Sequence, residues 1–87
     1  MTHRYKVLAA AEETGFVAVL DEEGRCHLGR ALAQLPSLDV ELLGDPPAFG
    51  IRSLRVEPDL VPCPVALVLL DCEPEVAAKL VAPINML

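Results

Sequence analysis

Short runs of hydrophobic and polar residues alternate along most of the chain, with glycines, prolines and acidic residues between the runs. Alternation of this kind is typical of β-strands that bury one face. The strands it predicts span residues 5–11, 15–20, 25–30, 38–42, 51–57 and 65–70. We therefore expect a chain built mainly of β-strands.

Residues 15–30 give the clearest local prediction, a β-hairpin around residues 21–24. Gly24 at the end of the loop suits a type I turn followed by a left-handed residue and a bulge. If Asp21 faces Arg25, one face of the hairpin is wholly apolar and consists of Phe16, Ala18, Leu20, Cys26 and Leu28. A register shifted by one residue would mix apolar and polar side chains on both faces.

The second face of this hairpin then carries Val17, Val19, Asp21, Arg25 and His27. We expect this face to be solvated, with Asp21 and Arg25 as a directly opposed ion pair. These two residues and His27 are the candidate ligand-binding residues, because they could hold a small anion or the carboxylate of a partner. An ordinary exposed strand face with one weak surface ion pair is the favoured interpretation.

Prolines and glycines divide the rest of the chain. Residues 31–36 fit one helical turn, residues 44–47 a loop, and residues 58–64 an extended connector. Pro74 suits the first turn of a helix that ends at Pro83, and Glu73 and Glu75 lie near its positive end.

Residues 65–70 are apolar without alternation, which is typical of a strand covered on both faces. We expect this strand at the centre of a sheet or in a dimer interface. The whole pattern predicts one domain, residues 1–87, that is mainly β, with an α+β arrangement as the alternative. Its expected form is a small antiparallel β-barrel or half-open sheet of five to six strands with one short C-terminal helix.

Composition adds a reason to expect self-association. Apolar residues make up 53% of the 87 residues, and a domain this small leaves much of its surface exposed after folding. The net charge of −6 disfavours nucleic acid as a partner. The longest apolar run, residues 65–70, is too short to span a membrane.

Acidic residues also interrupt the apolar run at residues 7–11 before it reaches the length of a secretory signal. Three cysteines, an odd number, suit a reducing compartment. We therefore expect a cytoplasmic protein.

The cysteines lack the close spacing of zinc knuckles, so we predict no metal and no cofactor, and buried thiols instead. A disulfide between Cys63 and Cys72 is not expected, because an extended strand holds them roughly 30 Å apart. Acidic neighbours disfavour a nucleophilic thiolate at Cys72.

The resulting prediction is a non-enzymatic protein-interaction module that forms a homo-oligomer or binds another protein. The predicted interface residues are Val65, Leu67, Leu69, Ile84, Met86 and Leu87. The alternative is a small-ligand or metal-binding protein, or an accessory subunit of an enzyme, that uses Arg25, His27 and a cysteine. A stand-alone enzyme ranks below both, because no nucleophile and base can be paired from the chain.

Overall fold

The computed structural model describes residues 2–37 and 39–81, which form a mainly β fold with one short C-terminal helix, as predicted. The elements are β1 (His3–Ala10), β2 (Phe16–Asp21), β3 (Cys26–Ala31), β4 (Glu41–Gly44), β5 (Gly50–Arg52), β6 (Leu54–Val56), β7 (Val61–Pro62), β8 (Val65–Cys72) and α1 (Pro74–Val81). The described residues form eight strands rather than five to six. The predicted strand 51–57 is divided at Ser53, and the proline-rich connector contains the short β7.

The strands form one antiparallel sheet in the order β5-β8-β3-β2-β1-β4-β6-β7, which curls into a half-barrel. Only Ser53 separates β5 from β6, yet β5 pairs with β8 and β6 pairs with β4. Residues 50–56 therefore cross from one side of the curled sheet to the other. This crossing draws the two sides together around a common interior.

The crossing depends on Gly44, the last residue of β4. A Cβ atom on Gly44 would lie against the carbonyl oxygen of Ser53 and 2.9 Å from the Cα atom of Leu54. The chains are also hydrogen bonded here, since the Asp45 amide donates to the Ser53 carbonyl at 3.2 Å and the Ser53 amide donates to Asp45 Oδ2 at 2.9 Å. Only glycine permits so close a backbone approach.

The predicted hairpin register is confirmed. Leu20 opposes Cys26 and Ala18 opposes Leu28. Gly24 has a φ of 85°, as the left-handed end of the loop requires. The apolar face packs under the helix in a cluster of Ala18, Cys26, Leu28, Ala77 and Val81.

The expectation that the second hairpin face is solvated is wrong. Val17, Val19 and His27 on this face are buried in the interior of the half-barrel. The main core contains Tyr5, Val7, Val17, Val19, Leu42, Leu54, Cys63, Val65 and Leu67. The hairpin is covered on both faces because the sheet curls around one face and α1 packs against the other.

Two local predictions also differ from the structure. Residues 32–34 form bends instead of a helical turn, and the Leu32 amide donates to the Pro64 carbonyl at 3.0 Å. β4 begins at Glu41, later than predicted, and Leu38 lies outside the described residues. The helix begins at Pro74 as predicted, whereas its predicted end at Pro83 lies outside the described residues. No helix in the described ranges is long and apolar enough to cross a membrane.

Strand β8 is covered on one face only over much of its length. Val65 and Leu67 are buried, but Val68 and Leu69 are 52% and 39% exposed. The prediction that β8 is covered on both faces is therefore wrong for the single chain. A bulge explains the change, because Gly29 opposes Leu67 and Leu28 opposes Leu69, which leaves Val68 without a partner on β3. The helix packs mainly over β1, β2 and β3.

Candidate functional site

The structure brings together two of the three predicted ligand-binding residues. His27 Nε2 and Asp21 Oδ2 are 2.9 Å apart, and the two side chains are only 2% and 8% exposed. The Arg25 guanidinium lies elsewhere, with its Nε atom 3.7 Å from carboxylate oxygens of Glu23 and Asp71. The predicted ion pair between Asp21 and Arg25 is therefore wrong.

The loop geometry explains this difference. The backbone amide of Arg25, rather than its side chain, donates to Asp21 Oδ1 at 2.9 Å. The Arg25 side chain is 60% exposed, whereas His27 projects into the half-barrel and reaches the other carboxylate oxygen. Asp21 is thus paired with the imidazole inside the fold and not with the guanidinium outside it.

Both ring nitrogens of His27 are hydrogen bonded. Nδ1 accepts from the backbone amide of Asp71 at 3.2 Å. Nδ1 must therefore be unprotonated, and this pattern assigns the hydrogen to Nε2, which donates it to Asp21. The ring connects the β2–β3 hairpin to the end of β8.

Asp21 accepts three hydrogen bonds. Its Oδ1 atom accepts from the amides of Glu23 and Arg25, and its Oδ2 atom accepts from His27. Burial acts to raise the pKa of Asp21, but the hydrogen bonds from His27, Arg25 and Glu23 outweigh burial, and the pKa lies below its ordinary value. The ionised carboxylate thus holds both the hairpin loop and the histidine in place.

Tyr5 completes a polar cluster, which we define as Tyr5, Asp21 and His27. Tyr5 opposes Asp21 in the β1–β2 pairing. Its ring meets the His27 ring edge-on, with the centroids 6.4 Å apart. The Tyr5 hydroxyl donates to the Asp45 carbonyl at 2.7 Å, next to the Gly44 crossing.

The Tyr5 hydroxyl provides a direct test of this environment, because Tyr5 is the single tyrosine of the chain. Burial, reinforced by the Asp21 carboxylate, raises its pKa to about 12. We expect phenolate absorbance to titrate with a midpoint near this value in the folded protein, and near the ordinary value of about 10 in denaturant. Because the pKa of Tyr5 is higher in the folded protein than in the unfolded chain, its protonated hydroxyl stabilises the fold. This contribution is complete below about pH 10 and is lost as the pH rises to about 12. A midpoint near 10 in the folded protein would show that the hydroxyl is solvated.

The hydrogen bonds of the polar cluster join the β2–β3 hairpin to the end of β8 and β1 to the segment after β4. With both ring nitrogens hydrogen bonded, His27 offers no free lone pair to a metal ion. A cavity of about 110 Å³ beside the cluster is lined by acidic and basic side chains together with a proline, namely Asp21, Glu22, Glu23, His3, Arg25 and Pro47. In residues 2–37 and 39–81, no group of three or more His, Cys, Asp or Glu side chains could hold a metal ion.

The alternative ligand site, which would combine Arg25 and His27 with a cysteine, does not form either, because these side chains do not converge. Cys26 lies in the cluster under α1, on the face of β3 opposite to His27. Cys63 is buried within the half-barrel, where its Sγ atom donates to the Gln34 carbonyl at 3.6 Å, and burial raises the pKa of its thiol. Cys26 and Cys63 are core residues, as the sequence predicts.

The predicted interface residues fall into three groups. The side chains of Val65 and Leu67 are buried in the core of the chain itself. Leu69 is partly exposed. Ile84, Met86 and Leu87 lie outside the described residues.

The sequence analysis did not identify Phe49 and Ile51, which have the highest exposed fractions, 66% and 64%, among the large apolar side chains that the structure describes. Ile51 opposes Ala66, which lies two residues before Val68 on β8, and Phe49 lies just before β5. We call Phe49, Ile51 and Val68 the apolar patch. Isolated apolar residues near a proline-rich loop gave no signal of this juxtaposition, because it depends on the distant pairing of β5 with β8.

Comparison of the chain with models of protein families, with curated proteins and with solved structures found no match.

Proposed function

We propose that the protein is a non-enzymatic interaction module that forms a homodimer through the apolar patch. The observation that carries this proposal is the bare outer surface of β5 and β8, where Phe49, Ile51 and Val68 are each more than half exposed. The helix covers the same outer surface over β1, β2 and β3 but leaves this part open. Exposed apolar side chains that adjoin one another are typical of interaction surfaces.

The charges around the patch favour a second copy of the chain as the occupant. Arg30 opposes Ala66 at one end of the patch, while Asp71 lies towards the other end of β8, where its carboxylate is also 3.7 Å from Arg25 Nε of the same chain. A twofold axis near Val68 would place Arg30 of each copy towards Asp71 of the other. A twofold interface joins the same surface on both copies, so such opposite ends are complementary.

The uncharged middle of the patch matters because each copy carries a net charge of −6. Two such chains repel each other over most of their surfaces. Contact through Phe49, Ile51 and Val68 places no acidic side chain at the centre. We also propose a cytoplasmic location, which the free thiols of the three cysteines support.

Replacing Val68 with lysine tests the homodimer. We expect the wild-type protein to sediment at micromolar concentration with twice its chain mass of 9.3 kDa. Val68→Lys removes one apolar side chain from each half of the proposed interface and places two cations near the twofold axis. Because Val68 is 52% exposed in the single chain, the interface buries about half of it; loss of about 0.8 kcal/mol per copy raises the dissociation constant roughly tenfold, and repulsion between the two lysines raises it further, so the variant should sediment as a monomer.

Val61→Lys is the matched control. Val61 is 42% exposed and belongs to β7, at the opposite end of the strand order. The Val61→Lys substitution should leave the dimer intact, and both variants should retain the wild-type circular dichroism spectrum. A wild-type monomer, or a dimer that survives Val68→Lys but not Val61→Lys, would reject the proposed surface.

A further inference from the structure

Two cysteines oppose each other where β3 meets β8. Cys26 and Cys72 are direct partners in the antiparallel register. The Cys72 Sγ atom donates to the Cys26 carbonyl at 3.3 Å. Both side chains belong to the apolar cluster under α1, so they lie on the same face of the sheet. The position of this pair is independent of the proposed dimer surface.

This arrangement satisfies the geometry of a disulfide. Directly opposed residues in antiparallel strands have Cα atoms about 4.5–5.5 Å apart. Disulfides bridge Cα atoms about 4.4–6.8 Å apart. The strand pairing therefore places the two cysteines at a backbone separation that a disulfide can bridge. Cys63 is not part of this arrangement, because it is buried in the separate cluster inside the half-barrel.

We propose that Cys26 and Cys72 form a reversible modification site, a cross-strand dithiol that a small-molecule disulfide such as glutathione disulfide oxidises to an intramolecular disulfide. The two cysteines differ in access, which sets the order of the steps. Cys72 is partly exposed and borders a surface groove with Gly24 and Pro74. Cys26 is fully buried.

In the first step Cys72, the accessible thiol of the pair, loses its proton and attacks one sulfur of glutathione disulfide. A mixed disulfide forms, and the first glutathione leaves as a thiolate and takes up a proton. In the second step Cys26 loses its proton and attacks the Cys72 sulfur, which releases the second glutathione. Two electrons pass from the protein thiols to the oxidant, and two protons pass to the glutathione thiolates.

The burial of Cys26 and the low acidity of its thiol together make the second step the slower one. Burial, and after it the neighbouring Cys72 thiol, raise the pKa of Cys26 to about 12. Thiolates are the attacking species in disulfide exchange, so a thiol of this kind reacts slowly until the mixed disulfide holds its target in contact.

The disulfide would join the hairpin to the end of β8, immediately before α1. It closes a loop that contains β4, β5, β6 and β7. A crosslink over a loop of this length stabilises a protein mainly by restricting the unfolded chain. The oxidised protein should therefore melt at a higher temperature than the reduced protein.

The test treats the full-length chain with glutathione disulfide and then counts thiols, maps peptides and measures melting. We expect the thiol count to fall from three to one, a linked peptide that contains Cys26 and Cys72, and an increase in Tm of more than roughly 5 °C. Dithiothreitol should reverse all three changes. Peptide mapping of the wild-type protein requires no variant to fold.

Two variants separate this site from general oxidation. Cys63→Ser should still lose both of its remaining thiols, whereas Cys72→Ser should keep both and show no increase in Tm. Three retained thiols in the wild-type protein, a lasting glutathione adduct on Cys72, or disulfides through Cys63 or between chains would each overturn the proposal.

Discussion

Replacing Gly44 with alanine is expected to lower the free energy of unfolding by about 3 kcal/mol and Tm by roughly 12–24 °C. The added Cβ atom would press against the Ser53 carbonyl oxygen and lie 2.9 Å from the Leu54 Cα atom. Both are backbone atoms of the segment that links β8 to β4, so no side-chain rotation can relieve the contact. Relief requires residues 50–56 to move away, which disrupts the crossing.

Gly24→Ala is the matched control for this substitution. Gly24 also has a positive φ, 85°, but nothing lies within 4 Å of an added Cβ atom. Gly24→Ala should lower the free energy of unfolding only by the backbone strain of a left-handed alanine, about 1 kcal/mol. Urea unfolding of both variants measures the difference. If Gly44→Ala is no less stable than Gly24→Ala, the half-barrel does not depend on a close approach at Gly44.

The parts of the fold that could be predicted are those that depend on neighbouring residues. The hairpin register followed from alternation on both sides of a short loop, and Gly24 has the left-handed backbone that the loop chemistry requires. The start of α1 at Pro74 followed from local chemistry in the same way. Each of these features is specified within a few residues.

What could not be predicted depends on distant pairing. The sequence marks Gly44 only as part of a loop, because its contact with Ser53 exists only after the sheet has curled. The bulge at Val68 breaks the alternation of β8 and exposes a residue that a continuous apolar run suggests is covered. Cys26 and Cys72 are far apart in the chain and meet only through the β3–β8 register.

The candidate site falls between these two cases. Asp21 and His27 share a face of the hairpin, as alternation and the register predict, so their proximity could be anticipated. That this face is buried could not, because burial comes from the curvature of the whole sheet. Burial also changes the partner of Asp21, since His27 lies inside with the carboxylate while Arg25 is exposed.

Replacing Asp21 with asparagine is expected to lower the free energy of unfolding at neutral pH by about 3 kcal/mol. The carboxylate accepts from three N–H groups, those of Glu23, Arg25 and His27. An asparagine side chain has one acceptor oxygen, and its NH₂ group would face at least one of these donors. His27 cannot adjust by changing tautomer, because its Nδ1 atom must accept from the Asp71 amide.

Asp45→Asn is the matched control. The Asp45 carboxylate accepts one amide hydrogen bond, from Ser53, and the asparagine oxygen can keep it. This substitution should therefore cost less than about 1 kcal/mol. Urea unfolding at neutral pH compares both variants with the wild-type protein.

The loss caused by Asp21→Asn should also depend on pH. The folded pKa of Asp21 lies below its ordinary value, so the native state favours the ionised carboxylate. Its contribution is complete above about pH 4, the ordinary range of an aspartate, and is lost as the pH falls through the lower folded pKa. The stability difference between the wild-type protein and Asp21→Asn should therefore be constant near neutrality and shrink in acid. A difference that stays the same down to the lowest pH at which the protein folds would mean that asparagine disturbs packing alone, and that the charge of Asp21 does not hold His27 and the loop.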